Sequence, residues 1–342
     1  MTTTALRSVE PDLVEVLQGA VAQRGTAQQI AAEAVRRQVD RVFFVGVGGS
    51  WASSVPVTLD LQHAGLPFPV LNVNASEFTA LTLPLVGPTS LVIAASHSGG
   101  TPETVEAARL AAARGALVVG VATDTDNPLG EASAFQLSYG SARTVTSSKY
   151  VLLSELALAL REAHGAPADE IAATRTALEA IPEATLAATL AADDQLAEIA
   201  GSYGDADNVF VLASGPLTGL AYLLSVCYLV EMQWKKSTHF TTADFFHGPF
   251  ELATEGQPYI LFAGADATRA HTERAQRFLD THNPEYRVLD ATALELPGIA
   301  REQLPAVQHI PMASITMRLA DHFEAATGHN LDERRYMHRV EY

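Results

Sequence analysis

Short apolar runs alternate along the chain with longer segments of helical pattern, and this alternation limits the possible folds more than any other feature. The strand-like runs occur in both halves of the chain, at residues 42–45, 91–95, 116–121, 209–213, 259–263 and 286–289. Runs that are apolar throughout are typical of parallel strands buried on both faces. The alternation therefore predicts an α/β fold of two doubly wound subdomains, each a parallel sheet flanked by helices.

The segment between the two halves has no strand pattern. It is rich in alanine with scattered acidic residues, a composition that favours helix. We expect a first subdomain in residues 1–165, a helical linker in residues 166–200 and a second subdomain in residues 201–342. A weak internal repeat relates the halves, since a shift of 168 positions aligns residues 91–95 with residues 259–263.

The charge balance and the cysteine content argue against several classes of protein. A net charge of −17 opposes binding to nucleic acid and to anionic lipid, so an anionic ligand must be held by local groups. Cys227 is the single cysteine, which leaves no intramolecular disulfide and no thiolate metal cluster. The N-terminal residues lack the apolar core of a secretion signal. We therefore expect a cytoplasmic protein with no membrane and no nucleic-acid partner.

Residues 209–230 contain no charged residue and are long enough to cross a bilayer. Ser214-Gly215-Pro216 interrupts this run, and proline suits the first turn of a helix. A buried strand, a tight turn and a buried helix running to about Trp234 therefore explain the run better than a membrane span.

A hydroxyl-rich turn follows the apolar run at residues 91–95 and precedes a helical segment that begins with Pro102. Its residues are Ser96, His97, Ser98, Gly99, Gly100 and Thr101. Backbone N–H groups at a helix N-terminus carry partial positive charge, and Ser and Thr hydroxyls donate to phosphate oxygens. The turn is predicted to bind phosphate, with an ordinary helix N-cap as the alternative.

The internal repeat assigns this phosphate site to one half of the chain. Under the shift of 168 positions, the three hydroxyl residues of the turn align with Gly264, Asp266 and Arg269. The second half has therefore lost the hydroxyls, and the Asp266 carboxylate would repel a phosphate. We expect the phosphate in the first half.

A second glycine-rich turn, Gly46-Val47-Gly48-Gly49-Ser50-Trp51, follows the first strand-like run. It does not match the dinucleotide-binding pattern, because Trp51 stands where that pattern needs a third glycine. Gly49 and Ser50 are instead predicted to bring backbone and a hydroxyl close to the phosphate. The alternative is a plain strand-to-helix turn.

Two residues of the second half are candidates for proton transfer. Glu231 ends the uncharged run, where partial desolvation suits a carboxylate to proton transfer; the alternative is that it marks where the helix meets water. His247 follows two phenylalanines on a turn, as either a catalytic or a packed side chain. The chain has neither a His-Glu-x-x-His nor a Gly-x-Ser-x-Gly arrangement, so we expect no metal and no serine nucleophile.

Several motifs together resemble those of sugar isomerase (SIS) domain proteins, and the resemblance covers nearly the whole chain. They are Gly48-Gly49-Ser50, the turn at residues 96–101, Ser147-Ser148-Lys149 and Phe246-His247-Gly248-Pro249. More narrowly, residues 231–234, 244–251 and 334–342 are similar to fructosamine 6-phosphate deglycases of the fructoselysine and fructose-asparagine type. The chain also resembles the isomerase half of glucosamine-6-phosphate synthase, with an acid and a histidine separated as Glu231 and His247 are here.

The resemblance implies roles for individual residues. Glu231 would move protons between C1 and C2 of a sugar, and His247 would serve ring opening or donate a proton. The expected substrate-binding residues are Gly49, Ser50, Ser96, His97, Ser98, Thr101, Ser147 and Arg339. The resemblance also implies a homodimer, in which the His247 segment completes the neighbouring active site, and an enzyme without metal or organic cofactor.

The C-terminal tail departs from the resemblance at Arg339, where relatives often carry a lysine. A guanidinium does not readily form a Schiff base, which argues against a covalent lysine step at this position. Arg334, Arg335 and Arg339 bind either a carboxylate on the amino-acid part of the substrate or the acidic surface of the protein itself. A second departure is Asp244, where the resemblance leads us to expect Glu.

The predicted activity is cleavage of a phosphorylated Amadori compound, a fructosamine 6-phosphate. The products are glucose 6-phosphate and a free amine or amino acid, formed through an enaminol and an imine. Two alternatives stay open. The first is another enzyme, either a ketose/aldose phosphosugar isomerase or an aminosugar-phosphate deaminase. The second is a non-catalytic sugar-phosphate sensor. The identity of the amine is not predicted.

Overall fold

Two parallel sheets organise the computed structural model, which describes residues 5–283, 285–337 and 339–341. The first sheet has the order β2-β1-β3-β4-β5, with β1 Arg41–Gly46, β2 Val70–Asn74, β3 Ser90–Ala95, β4 Leu117–Ala122 and β5 Phe135–Ser138. The second has the order β7-β6-β8-β9, with β6 Asn208–Ala213, β7 Lys236–Thr241, β8 Tyr259–Ala263 and β9 Arg287–Asp290. Each neighbouring pair is parallel. The predicted α/β class is confirmed.

Helices flank the strands of both sheets. In chain order they are α1 Leu13–Val21, α2 Arg24–Arg36, α3 Gly49–Ala52, α4 Val55–His63, α5 Ala75–Glu77, α6 Pro102–Ala113, α7 Pro128–Glu131, α8 Val145–Ala163, α9 Ala168–Ala191, α10 Asp193–Tyr203, α11 Thr218–Tyr222, α12 Thr242–Phe245, α13 Arg269–His282, α14 Leu304–Val307 and α15 His309–Thr327. Helix α6 shows how local sequence sets an element. Pro102 occupies its first turn, and Gly115 follows its end with a φ of +84°.

The described chain divides into two compact units, one around each sheet. The N-terminal unit comprises Asp12–Ala184 and Pro297–Ile310. The C-terminal unit comprises the described residues of Met1–Pro11, Thr185–Leu296 and Pro311–Tyr342. Helices α9 and α15 therefore contribute residues to both units. The limits expected from sequence, with a linker at residues 166–200, stay a prediction.

Central strands and edge strands differ in how well the sequence reveals them. Strands β3, β4 and β8 are buried along their full lengths, so they read as continuous apolar runs. The three strands that the pattern missed, β2, β5 and β7, lie at sheet edges. They carry polar residues such as Asn72, Gln136 and His239. An edge strand is only partly covered, so it need not be apolar.

The uncharged run that follows β6 is helical but irregular. A 3₁₀ turn at Gly215–Leu217 leads into α11, which continues as π-helical turns over Leu223–Met232. Among the described residues, Gly215–Met232 is the one helical run long and apolar enough to cross a membrane, and half of it is buried within the protein. Such burial is typical of a core helix. π-Helical turns are rare and often occur at functional sites.

His309, the first residue of α15, is a fully buried histidine in the N-terminal unit. Its ring packs edge-on against Tyr150 of α8, with 4.8 Å between ring centroids, and its Nε2 pairs with the Ser154 hydroxyl at 3.1 Å. Burial lowers the pKa of His309 from 6.5 to about 3. The folded protein therefore keeps this ring neutral at a pH where the unfolded chain binds a proton.

We predict that His309→Gln makes the free energy of unfolding depend less on pH below pH 6.5. The pKa of His309 is lower in the folded state, so the stability linked to its neutral ring is complete above pH 6.5 and is lost as pH falls from 6.5 towards 3. In this window the free energy of unfolding falls more steeply for the wild type than for the variant, by up to about 1.4 kcal/mol per pH unit.

Urea unfolding at several pH values measures this difference. The exposed His271→Gln variant is the control and should follow the wild type. Parallel profiles for the wild type and His309→Gln would contradict the prediction.

Candidate functional site

The hydroxyl-rich turn connects β3 to α6 in the N-terminal unit. Ser96 Oγ and Thr101 Oγ1 are hydrogen-bonded at 2.8 Å, so the first and last hydroxyls of the turn meet. Thr101 occupies the N-cap position of α6 but makes no side-chain hydrogen bond to the first turn. The N-cap alternative therefore lacks its defining contact, and the geometry favours an anion-binding turn.

Gly99 sets the shape of this turn. Its φ is +65°, in the left-handed region that favours glycine. A Cβ at this position would lie 2.1 Å from the side chain of Asn127. Asn127 in turn accepts a hydrogen bond from the Gly130 N–H at 2.9 Å, and the Gly99 carbonyl accepts one from Leu129 at 2.9 Å. The turn is thus held closely against α7.

Ser98 projects from the exposed part of the same turn. Its Oγ accepts a hydrogen bond from the Gly100 N–H at 3.1 Å. A hydroxyl that accepts from backbone can still donate its own hydrogen to an anion. Ser98 therefore keeps its hydroxyl hydrogen available for another acceptor.

The turn after β1 brings a cation to the second predicted hydroxyl. Gly48 has a φ of +54°, and α3 begins at Gly49. The next residue, Ser50, is buried, and its Oγ accepts a hydrogen bond from Lys149 Nζ at 2.9 Å. The same ammonium lies 5.9 Å from the ring centroid of Tyr139. A buried positive charge thus stands beside Ser50.

The sequence motifs include Lys149 but do not predict its hydrogen bond to Ser50. The chain has three lysines, and Lys149 is the one followed by a long apolar run, residues 150–153. It is 3% exposed on α8, where Ser147 is also buried. A lysine inside an apolar helix needs a polar partner. The apolar residues that follow Lys149 could therefore have indicated that its ammonium is buried against a polar group.

His97 joins the turns after β3, β4 and β5. Its Nδ1 lies 2.8 Å from the Tyr139 hydroxyl and 2.9 Å from Thr123 Oγ1. Desolvation and the charge of Lys149 lower the pKa of His97. Burial raises the pKa of Tyr139. Both rings are therefore uncharged at neutral pH and add hydrogen-bonding groups without a further charge.

Glu231 lies in the last π-helical turn of the C-terminal unit. Its side chain is 29% exposed, which places it between the buried and the fully solvated alternatives. Arg334 Nε donates to Glu231 Oε1 at 3.1 Å. The contact orients the carboxylate of Glu231 towards the C-terminal tail.

His247 is exposed on the turn after α12. Its backbone N–H donates to the Asp244 carbonyl at 2.8 Å. The two preceding residues, Phe245 and Phe246, pack instead against Phe278. The aromatic residues therefore anchor the turn and present the imidazole to solvent, which argues against the packed alternative.

Glu231 and His247 lie beyond opposite ends of β7. Glu231 precedes Lys236–Thr241 and His247 follows it. A strand of six residues separates its two ends by roughly 15–20 Å. Glu231 and His247 are therefore attached to opposite ends of this strand.

The remaining predicted contact, Arg339, is exposed in the tail, where its backbone N–H donates to the Tyr336 carbonyl at 2.8 Å. Within the described part of the chain, no three His, Cys, Asp or Glu side chains come together as a metal site would require.

Comparisons with known proteins relate the chain to phosphosugar enzymes. The SIS domain profile matches residues 37–161. The fructosamine deglycase FrlB of Bacillus subtilis (strain 168) is 30% identical over 310 residues, which cover 90% of this chain and 94% of that protein. The fructoselysine 6-phosphate deglycase of Escherichia coli O157:H7 is 28% identical over 313 residues, which cover 90% of this chain and 88% of that protein.

A solved structure shares the fold across nearly the whole chain. The crystal structure of a candidate phosphosugar isomerase from Bacillus subtilis is 28% identical, with a TM-score of 0.84, and the match covers 94% of this chain and 100% of that one. Two parallel sheets with a hydroxyl-rich turn after a central strand define an SIS-type α/β protein. The chain belongs to the SIS domain family. The family predicted from the motifs is confirmed.

We predict that Lys149→Met weakens binding of glucose 6-phosphate by about 10- to 100-fold, because it removes the buried cation beside Ser50. Isothermal titration calorimetry measures the dissociation constant. The exposed Lys236→Met variant loses the same charge and is the control. Circular dichroism melting identifies any loss of folding. A folded Lys149→Met variant with wild-type affinity would exclude Lys149 from the phosphate site.

Proposed function

We propose that the protein is an enzyme that splits a fructosamine 6-phosphate into glucose 6-phosphate and a free amine or amino acid. The main support is the 30% identity to a protein named fructosamine deglycase, 94% of which is matched. The Escherichia coli relative is named for a 6-phosphorylated substrate. The hydroxyl-rich turn agrees with such a substrate, because hydroxyls at a helix N-terminus bind phosphate.

In this proposal the N-terminal unit holds the sugar phosphate. The phosphate contacts the turn after β3 and the turn after β1, with Lys149 as the nearby cation. Ser147 contacts the sugar hydroxyls, and Arg339 contacts the substrate from the tail. The proposed phosphate contacts are Gly49, Ser50, Ser96, His97, Ser98 and Thr101.

Glu231 carries out the proton transfer in this proposal. Its carboxylate removes a proton from C1 of the aminoketose while the C2 oxygen gains a proton, which gives an enaminol. The proton is then returned at C2 as the nitrogen loses its proton, which gives an imine at C1. One water molecule then adds to the imine, and the C–N bond breaks to release the amine and glucose 6-phosphate. The nitrogen of the substrate makes the imine, so this route uses no metal or organic cofactor.

His247 acts in the neighbouring chain of a homodimer. This part of the proposal is supported by the positions of Glu231 and His247 beyond opposite ends of β7. In this proposal a second copy of the chain supplies the imidazole that works with Glu231. The exposed turn that carries His247 suits such an exchange.

We also propose a cytoplasmic location. A phosphorylated sugar carries charge and does not cross a bilayer unaided, so the enzyme and its substrate share the compartment where the sugar is phosphorylated.

An isomerase of ketose and aldose phosphates is the second candidate function. The observation that favours it is the Bacillus subtilis structure with a TM-score of 0.84, which is described as a candidate phosphosugar isomerase. Both reactions move a proton between C1 and C2, so both would use Glu231. Assays with fructose 6-phosphate and with its amine adducts separate them, because only a deglycase releases amine.

We predict that Glu231→Gln lowers kcat for amine release about 10²- to 10⁴-fold, because the amide cannot accept the C1 proton. The Michaelis constant should change much less. Amine release and glucose 6-phosphate formation are measured in parallel on the same adduct. The exposed Glu251→Gln variant is the control. A Glu231→Gln enzyme with wild-type kcat would refute the proposed role, and binding without any turnover by the wild type would identify a sensor.

A complementation experiment tests the shared site. Glu231→Gln and His247→Ala homodimers should each be inactive, whereas random mixing of the two chains should restore about a quarter of wild-type activity. Half of the dimers are then mixed, and each mixed dimer has one intact site. No recovery after verified subunit exchange would show that each chain uses its own histidine.

A further inference from the structure

The C-terminal tail places two arginines at the end of the helical run that carries Glu231. Arg334 pairs with Glu231 at 3.1 Å. The guanidinium of Arg335 lies over the ring of Trp234, 4.0 Å from its centroid. We call Arg334 and Arg335 the tail arginine pair. One cation of this pair therefore contacts the proposed catalytic carboxylate, and the adjacent cation stacks on Trp234, in a chain whose net charge is −17.

Other contacts anchor the tail independently of the arginine pair. Trp234 has a φ of +52°, which a bulky residue adopts only where its surroundings impose it. The His329 ring packs on Trp234 with 4.4 Å between ring centroids. Gln233 donates to the His329 carbonyl at 3.3 Å and accepts from the Thr327 hydroxyl at 3.0 Å. The tail is thus positioned without relying on the ion pair to Glu231.

The arginine pair also keeps hydrogen-bond donors available. Arg334 uses Nε for Glu231 and Nη1 for two main-chain oxygens of the tail. Among the residues that the structure describes, no acceptor is hydrogen-bonded to Nη2 of Arg334. Aromatic stacking occupies the face of the Arg335 guanidinium and leaves its N–H edge able to bind an anion.

We propose that the tail arginine pair recognises the α-carboxylate of the amino-acid part of the substrate, so the preferred substrates are adducts at an α-amino group. This inference rests on the proposed function, in which Glu231 removes a proton from C1. In such an adduct the carboxylate carbon is three bonds from C1, or within about 4 Å. Arg334 touches Glu231, so a carboxylate that close to the reacting carbon comes within its reach.

Adducts at a distant amino group do not have this geometry. In an adduct at the ε-amino group of lysine, the carboxylate is seven bonds from C1, roughly 9 Å away when extended. The side chain would have to fold back to reach Arg334, and this ordering costs conformational entropy.

An α-carboxylate would also replace Glu231 as the partner of Arg334. The exchange releases the Glu231 carboxylate for the proton at C1.

A matched pair of substrates tests the proposal. The fructose 6-phosphate adducts of glycine and of glycinamide have the same size and differ in the charge of the terminal group. We expect the wild type to prefer the glycine adduct by about 10- to 100-fold in kcat/KM, and to prefer it over the adduct at the ε-amino group of lysine. Arg334→Gln should bring the ratio of glycine to glycinamide close to one. Arg334→Lys should keep part of the preference, since it keeps the charge but not the paired donors.

Arg277→Gln, an exposed change of the same charge, is the control and should keep the wild-type preference. A wild-type ratio near one, or equal losses on both adducts in Arg334→Gln, would overturn the inference while leaving the deglycase activity in place. Preference for the lysine ε-adduct would also overturn it. If the wild type releases amine from none of the adducts, the proposed function fails, and this inference fails with it.

Discussion

Complete burial of β3 is the constraint on which the predicted phosphate site depends. Strand β3 is covered along its whole length and ends at Ala95, and α6 begins at Pro102, so the change of direction takes place in the turn between them. The intervening residues fit because Gly99 adopts a positive φ beside Asn127. The hydroxyls of the turn are positioned by this compact geometry rather than by flexible side chains. The geometry of the turn is thus a consequence of how the sheet is packed.

The buried cation Lys149 distinguishes the turn after β1 from an ordinary strand-to-helix connection. Burying the Lys149 ammonium is costly, and the Ser50 hydroxyl and the Tyr139 ring offset part of that cost. Desolvation, together with the same charge, lowers the pKa of His97. A cation and several neutral hydrogen-bonding groups therefore lie near one another. In a strongly acidic protein, such a local positive charge is a feature expected of a site for an anionic ligand.

The candidate residues of the C-terminal unit depend on different structural features. Irregular π-helical turns place Glu231 where the tail can contact it, and β7 separates it from His247. These features explain why motif spacing along the chain is a poor guide to distance in the fold. Glu231 and His247 are near in sequence, yet a strand stands between them. Glu231 instead contacts Arg334, which lies far along the chain.

The strands that could be predicted from the sequence are those that are most completely buried. Both faces of β3, β4 and β8 are covered, so their residues are almost all apolar and the strands could be read directly. Edge strands such as β7 are only partly covered, and their mixed composition gives no such signal. The hydroxyl-rich turn could be placed after β3 because the carboxyl end of an apolar strand is visible in the sequence. The tail could be identified as basic from the sequence, but its contact with Glu231 could not be predicted.

By itself, the sequence determined the α/β class, the family and the residues that carry chemical groups, because apolar patterning and motif identity are local properties. Only the tertiary structure decided which of those groups meet. Lys149 reaches Ser50, and Arg334 reaches Glu231, through side chains brought together by helices and strands distant in sequence. Such pairs form because the burial of the sheets and helices fixes their backbones, and no pattern along the chain records that outcome.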